Sequence, residues 1–205
     1  MTTEIKELNI ILSGVGGQGV ILMSELLGNA IIADGLCMQG SEVLGMAQRG
    51  GSVFSNIRIG DNLYAPLTPQ GKCDILVAVE PSEALRYIKD LSASSLVIIN
   101  TTKVLPFTVS IGQSSYPELD TIVTELQKVT KNVITLDATR IAEEAGNLLT
   151  TNTVMLGALF GSGQMPIKLD TIKDLIKKRV PAKAIDANMR AFDLGYSFVL
   201  KQSKK

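Results

Sequence analysis

Leu8 to Leu12 is an unbroken apolar run that stops at Ser13 and a cluster of glycines. A short apolar run bounded by turn residues predicts a buried strand. Over the next segment, Val20 to Ala33, apolar residues recur at helical spacing: Ile21, Leu22, Leu26, Leu27, Ala30 and Ile31. Asp34-Gly35 then predicts the helix end, because a glycine past the last turn can take the left-handed cap conformation. Leu36 to Val43 predicts a second strand. The chain therefore opens as strand, glycine loop, helix, strand.

Ser52 to Ile59 alternates, with Val53, Ser55 and Ile57 set against Phe54, Asn56 and Arg58. That period of two predicts a strand with unlike faces. Gly60-Asp61-Asn62 reads as a turn, and Leu63 to Leu67 is predicted to pair back as a hairpin. Asp74 to Val79 predicts a buried strand, and Pro81 suits the first turn of a helix running to about Leu91. Leu96 to Ile99 predicts a short strand closed by Asn100, and Lys103 to Ser115 is ambiguous. Pro117 to Val129 predicts a helix and Val133 to Leu136 a strand, with Asp137 as the N-cap of a helix ending at Gly146-Asn147. Thr153 to Phe160 reads as a closely packed helix containing Gly157, and Asp170 to Lys178 and Ala182 to Leu200 as two terminal helices. Strands alternating with helices imply an α/β fold. The expected form is a mostly parallel, doubly wound sheet with helices on both faces and a local antiparallel hairpin.

Composition narrows the chemistry. Lys+Arg and Asp+Glu both number 20, so the formal net charge is zero and nucleic-acid binding has no electrostatic footprint. The chain has no His and two Cys, Cys37 and Cys73. No imidazole can serve as base or ligand, and two thiols cannot build an iron–sulfur cluster or a Cys-rich zinc site. No catalytic residue and no metal site are expected in this chain. Met1 to Leu8 carries acids and lacks an apolar secretory core, and the apolar stretches are too short or too glycine-interrupted to span a bilayer. The expectation is a cytoplasmic protein with reduced thiols and no membrane partner.

Gly14-Val15-Gly16-Gly17-Gln18-Gly19 has the G-x-G-x-x-G spacing between a predicted strand and a predicted helix. Glycines let a ligand approach the backbone, and the helix start presents free N–H groups to an anion. Three readings stay open. A dinucleotide site would need an acid to hold the ribose, and Glu42 is the candidate near the required offset. The glycines could merely permit tight strand–helix packing. The loop could also hold an anion or cofactor tail supplied by another subunit. It is not a P-loop, since the Gly-Lys-Ser/Thr ending is absent.

A second glycine loop runs from Ser41 to Ser52 and contains Gln48, Arg49, Gly50 and Gly51. Arg49 could grip a carboxylate or phosphate with two parallel hydrogen bonds, or pair with Glu42 on the surface. Both loops follow predicted strands, so in a doubly wound sheet they could face each other across the ligand crevice. Gln113 to Tyr116 reads as a structural polar loop, and Met155, Leu156, Leu159 and Phe160 as core.

These residues carry a resemblance. Gly14 to Val20, and Gly45-Met46-Ala47-Gln48-Arg49-Gly50-Gly51-Ser52-Val53, resemble the gamma-type domain of 2-oxoacid:ferredoxin oxidoreductases. Tyr64 to Leu67, Cys73 to Pro81 with Glu83 to Arg86, Asp137-Ala138-Thr139, Thr151 to Ala158, and Asn188, Phe192, Gly195 and Tyr196 extend the likeness over nearly the whole chain. The second loop is most similar to the beta subunit of the indolepyruvate type, with one departure: Leu44 stands where that type commonly carries a His. The resemblance implies one gamma-type catalytic domain over residues 1–205. It implies oxidative decarboxylation of aryl 2-oxoacids to acyl-CoA, with electrons passed to ferredoxin. A large alpha subunit is expected to carry thiamine diphosphate, Mg and 4Fe–4S clusters, with coenzyme A as co-substrate. The expected ligand-holding residues are Gly14, Gly16, Gly17, Gln18, Gly19, Gln48, Arg49, Gly50 and Gly51. A stand-alone nucleotide-binding oxidoreductase and a non-catalytic scaffold subunit remain the alternatives.

Overall fold

The computed structural model describes residues 7–45 and 50–202. Six strands form one sheet: β1 (Leu8–Val15), β2 (Met38–Leu44), β3 (Ser52–Ile59), β4 (Cys73–Ala78), β5 (Leu91–Asn100) and β6 (Val133–Leu136). Their order is β2-β3-β1-β4-β5-β6. The β1–β4, β4–β5 and β5–β6 pairs are parallel, whereas β3 is antiparallel to both β1 and β2. The strands that read as unbroken apolar runs are those whose two faces are both covered by helices, as parallel sheets require.

Each face has its own core. One holds Ile10, Leu12, Ile75, Val77 and Ile98 against the long helices α1 (Val20–Ala33), α6 (Thr151–Gly161), α7 (Leu169–Arg179) and α8 (Ile185–Gln202). The other holds Ile11, Leu76, Ala78, Val97 and Ile99 against α2 (Pro81–Leu85) and α4 (Leu119–Gln127). Two short helices, α3 (Phe107–Ser110) and α5 (Ala138–Glu144), sit in connections. Asp137 caps α5 as predicted, its carboxylate accepting the Arg140 N–H at 2.9 Å.

Two local expectations are corrected. Leu63 to Leu67 forms no strand. Its carbonyl groups are taken by side chains instead: Gln39 donates to the Leu63 carbonyl at 2.7 Å, and the buried Arg58 guanidinium donates to those of Ala65 and Leu67. The antiparallel hairpin lies upstream, between β2 and β3, closed by Gly45 N–H on the Ser52 carbonyl at 2.9 Å. The helix begun by Pro81 ends at Leu85 and not near Leu91, because Leu91 already belongs to β5, paired with Cys73.

The antiparallel β3 also separates β1 from β2. Glu42 pairs with Ser55, which pairs with Leu12, so Glu42 stands two strands away from β1 on an exposed sheet edge. The ribose-holding acid of a dinucleotide fold sits on the strand adjacent to the glycine loop. That part of the fingerprint is not assembled here.

Candidate functional site

The chain leaves β1 through α1 toward one edge of the sheet, and leaves β4 through α2 toward the other. The crevice beyond the carboxyl ends of β1 and β4 is therefore a topological switch point, where open α/β sheets hold ligands. A cleft of about 420 Å³ lies there. Its walls include Gly17, Gln18 and Gly19 of the first glycine loop, Asn100 at the end of β5, Thr139 at the start of α5, and Asn152 at the start of α6. Among the described residues, none that lines it is ionisable.

The glycine loop is shaped by what its members touch. Gly17 and Gly19 have φ of 98° and 77°, a left-handed conformation that favours glycine. A β-carbon on Gly19 would lie 2.6 Å from Asn152 Nδ2, so the loop passes directly over that amide. Gln18 turns inward: its Oε1 accepts the Val15 N–H at 2.9 Å and its Nε2 donates to the Val79 carbonyl at 3.3 Å. It ties the loop to β4. Gly14 packs beneath, where a β-carbon would come within 2.8 Å of Gln18 Oε1.

The N-terminus of α1 is capped by Gly19 with no side-chain hydrogen bond, and the first intrahelical bond is Met23 N–H to the Gly19 carbonyl at 3.0 Å. The amides ahead of that bond have no partner within the helix, and the helix dipole places its positive end there. The starts of α5 and α6 also border the cleft. Asn152 is 6% exposed; its Oδ1 accepts the Thr153 N–H at 2.9 Å, which leaves its Nδ2 donors toward Gly19. Among the described residues the lining is thus neutral in formal charge but rich in N–H dipoles, an arrangement that favours an anion.

The two glycine loops meet. Gly16 N–H donates to the Gly51 carbonyl at 2.8 Å, and Gly50 N–H donates to the Gly16 carbonyl at 3.2 Å. Gly50 and Gly51 brace the first loop from behind and do not line the cleft, whereas Gln48 and Arg49 lie outside the described residues. Leu44 is 64% exposed at the end of the edge strand β2, outside the cleft lining.

A second polar cluster adjoins the cleft and was not found from sequence. Glu80 is fully buried and Glu83 nearly so. Glu80 accepts the Tyr116 hydroxyl at 2.5 Å, the Ser82 hydroxyl at 2.7 Å, and the Glu83 and Val104 N–H groups at 3.1 and 3.3 Å. Glu83 accepts the Ser52 hydroxyl at 2.5 Å and pairs with Arg86 Nε at 2.9 Å. Burial, then the bond to Glu80, raises the Tyr116 pKa well above the ordinary tyrosine value. The nearest sequence signal was the pair of acids flanking Pro81. Among the described residues, no cluster of His, Cys, Asp or Glu could hold a metal, and no helix is long and apolar enough to cross a membrane.

Fold and cleft together define an α/β protein with an anion-favouring crevice at the switch point of its sheet. Residues 9–198 match the family described as pyruvate ferredoxin/flavodoxin oxidoreductase. The chain is 46% identical to indolepyruvate oxidoreductase subunit IorB of Archaeoglobus fulgidus, over 93% of this chain and 94% of that protein. Its fold is similar to pyruvate oxidoreductase subunit PORC of Thermotoga maritima, with a TM-score of 0.68, 27% identity, and coverage of 94% of this chain and 97% of that one. The 2-oxoglutarate:ferredoxin oxidoreductase of Magnetococcus marinus, solved with 2-oxoglutarate, coenzyme A and succinyl-CoA bound, shares the fold at TM-score 0.73 and 19% identity. That likeness covers 97% of this chain but 32% of the longer polypeptide. The chain belongs to the pyruvate ferredoxin/flavodoxin oxidoreductase family. It is a subunit of a 2-oxoacid ferredoxin oxidoreductase.

Proposed function

We propose that residues 1–205 act as one gamma-type domain that completes the active site of a cytoplasmic, indolepyruvate-type oxidoreductase, and that the cleft holds the phosphate-bearing part of coenzyme A. Identity to an indolepyruvate oxidoreductase subunit along nearly the whole chain supports the aryl 2-oxoacid as substrate. The observation that carries the ligand assignment is that, among the described residues, the lining holds no ionisable group and lies against the start of α1 and Asn152. Such a lining stabilises a diphosphate without a fixed counter-charge.

The chain's own residues supply binding and orientation. Gly17 and Gly19 let the ligand come close to the backbone, and Val79, Leu148 and Leu149 give the cleft apolar wall for a pantetheine-like arm. Thiamine diphosphate supplies carbanion chemistry and iron–sulfur clusters accept single electrons, and both belong in a large partner subunit that delivers electrons to ferredoxin. This chain does not fit an iron–sulfur cluster: it has no His, and its two cysteines, an exposed Cys37 and a buried Cys73, cannot supply four thiolates. The separation of Glu42 from β1 disfavours the stand-alone dinucleotide-binding reading.

Asn152→Asp tests the assignment, since it places a negative charge beside Gly19 with little change in shape. In the assembled complex it is expected to raise KM for coenzyme A by about tenfold or more, and KM for the oxoacid far less. An unchanged KM for coenzyme A rejects the cleft as its site.

A further inference from the structure

Five residues of α2 connect three segments that are distant in sequence. Through Glu83, the helix reaches Ser52, the first residue of β3 and the neck of the second glycine loop. Ser52 closes that neck, because its carbonyl accepts the Gly45 N–H at 2.9 Å. The preceding Gly50 and Gly51 exchange two backbone hydrogen bonds with Gly16 in the first loop. Through Glu80, the same helix holds Val104, whose residue lines the cleft, and Tyr116. A buried carboxylate survives only when its oxygens are hydrogen-bonded, and here the two carboxylates bond Val104 of the cleft lining, Tyr116, Ser52 and residues of the helix itself.

We infer that Glu83 is a positioning residue for the cleft, acting through the Ser52 hydroxyl to set the Gly50–Gly51 brace against Gly16. The inference rests on the reading of the cleft as the coenzyme A site. Glu83 touches no cleft wall itself. Its influence runs along a continuous path: carboxylate, Ser52 hydroxyl, Gly51 carbonyl, Gly16 N–H, and then Gly17 to Gly19. Arg86 pairs with the other Glu83 oxygen and orients the carboxylate.

The test uses the complete complex with its partner subunit. Ser52→Ala removes the donor and leaves every cleft wall in place. Expected is a rise of about tenfold in KM for coenzyme A with kcat within about twofold, and Ser52→Thr, which restores a hydroxyl, returns KM toward the parent value. A purely structural bond lowers the melting temperature and leaves KM alone, and that result overturns the inference. Should Ser52→Ala prevent assembly, Glu83→Gln carries the test, since it keeps an acceptor oxygen for Ser52 but loses the charge. About a threefold rise in KM is expected, and an unchanged KM overturns the inference. Asn152→Asp run in parallel separates the two claims. A KM moved by Asn152→Asp but not by the Ser52 and Glu83 variants rejects the positioning role alone. A KM moved by none of them rejects the cleft assignment, and the positioning role with it.

Discussion

Gly157 faces Phe192 so closely that a β-carbon on Gly157 would sit 2.1 Å from the Phe192 carbonyl oxygen. The contact is reciprocal: a β-carbon on Gly195 would sit 2.1 Å from the Val154 carbonyl oxygen. Helices α6 and α8 therefore cross backbone to backbone. The start of α6 carries Asn152, so the same crossing fixes where that amide meets the glycine loop.

Gly157→Ala is expected to be strongly destabilising. The obstructing atoms belong to backbone and not to a flexible side chain, so the helices must separate. Overpacking of this kind costs on the order of 3 kcal/mol, and in a chain of this size that lowers the melting temperature by roughly 6–12 °C. Thermal unfolding of the purified variant checks it. A shift of only about a degree would show that the crossing opens freely.

The buried acids make a prediction about alkaline stability. Burial, then the charge of Glu83, raises the Tyr87 pKa. Burial, then the bond to Glu80, raises that of Tyr116. With folded values above the unfolded value of about 10, both groups contribute stability that is complete below about pH 10. It is lost as pH climbs from there toward the folded values, because the unfolded chain releases its protons first. Denaturant midpoints measured between about pH 8 and about pH 11 are therefore expected to fall steeply. Tyr116→Phe should flatten that fall, and at neutral pH it should cost roughly 1–2 kcal/mol, since Glu80 loses a donor. Parallel pH profiles for parent and variant would contradict the assignment.

Much of the fold can be read directly from the residues. Val133 to Leu136 is a strand with the predicted bounds, because an apolar tetrad between Asn132 and Asp137 has few alternatives. Helix α1 is equally plain. The misplaced hairpin has a definite cause: Arg58, read as the polar face of a strand, is buried and draws the Ala65 and Leu67 carbonyls to itself. Side-chain capture of this kind carries no periodic signal. The glycine loop was visible as the likeliest ligand element, yet Gln18 turns inward, and Gly14, Gly16, Gly50 and Gly51 shape and brace the loop without lining the cleft. Asn100, Thr139 and Asn152 reach the cleft from three separate elements. The Glu80–Glu83 cluster joins residues up to 36 positions apart. Only the three-dimensional arrangement brings such groups together.

The two cysteines should differ sharply in reactivity. Cys37 is exposed, whereas Cys73 is buried at the start of β4. Burial, then the nearby Asp74 carboxylate, pushes the Cys73 thiol up to about 12. The thiolate is the reacting species, so Cys73 is inert while the chain is folded. A thiol-specific chromogenic reagent at neutral pH is expected to titrate Cys37 quickly and Cys73 only after denaturant is added. Cys37→Ser should abolish the fast phase and leave the slow one. Rapid labelling of Cys73 in the folded variant would mean that the β1–β4 region opens on the timescale of the assay, since that thiol is covered by both neighbouring strands and the α2–α4 layer.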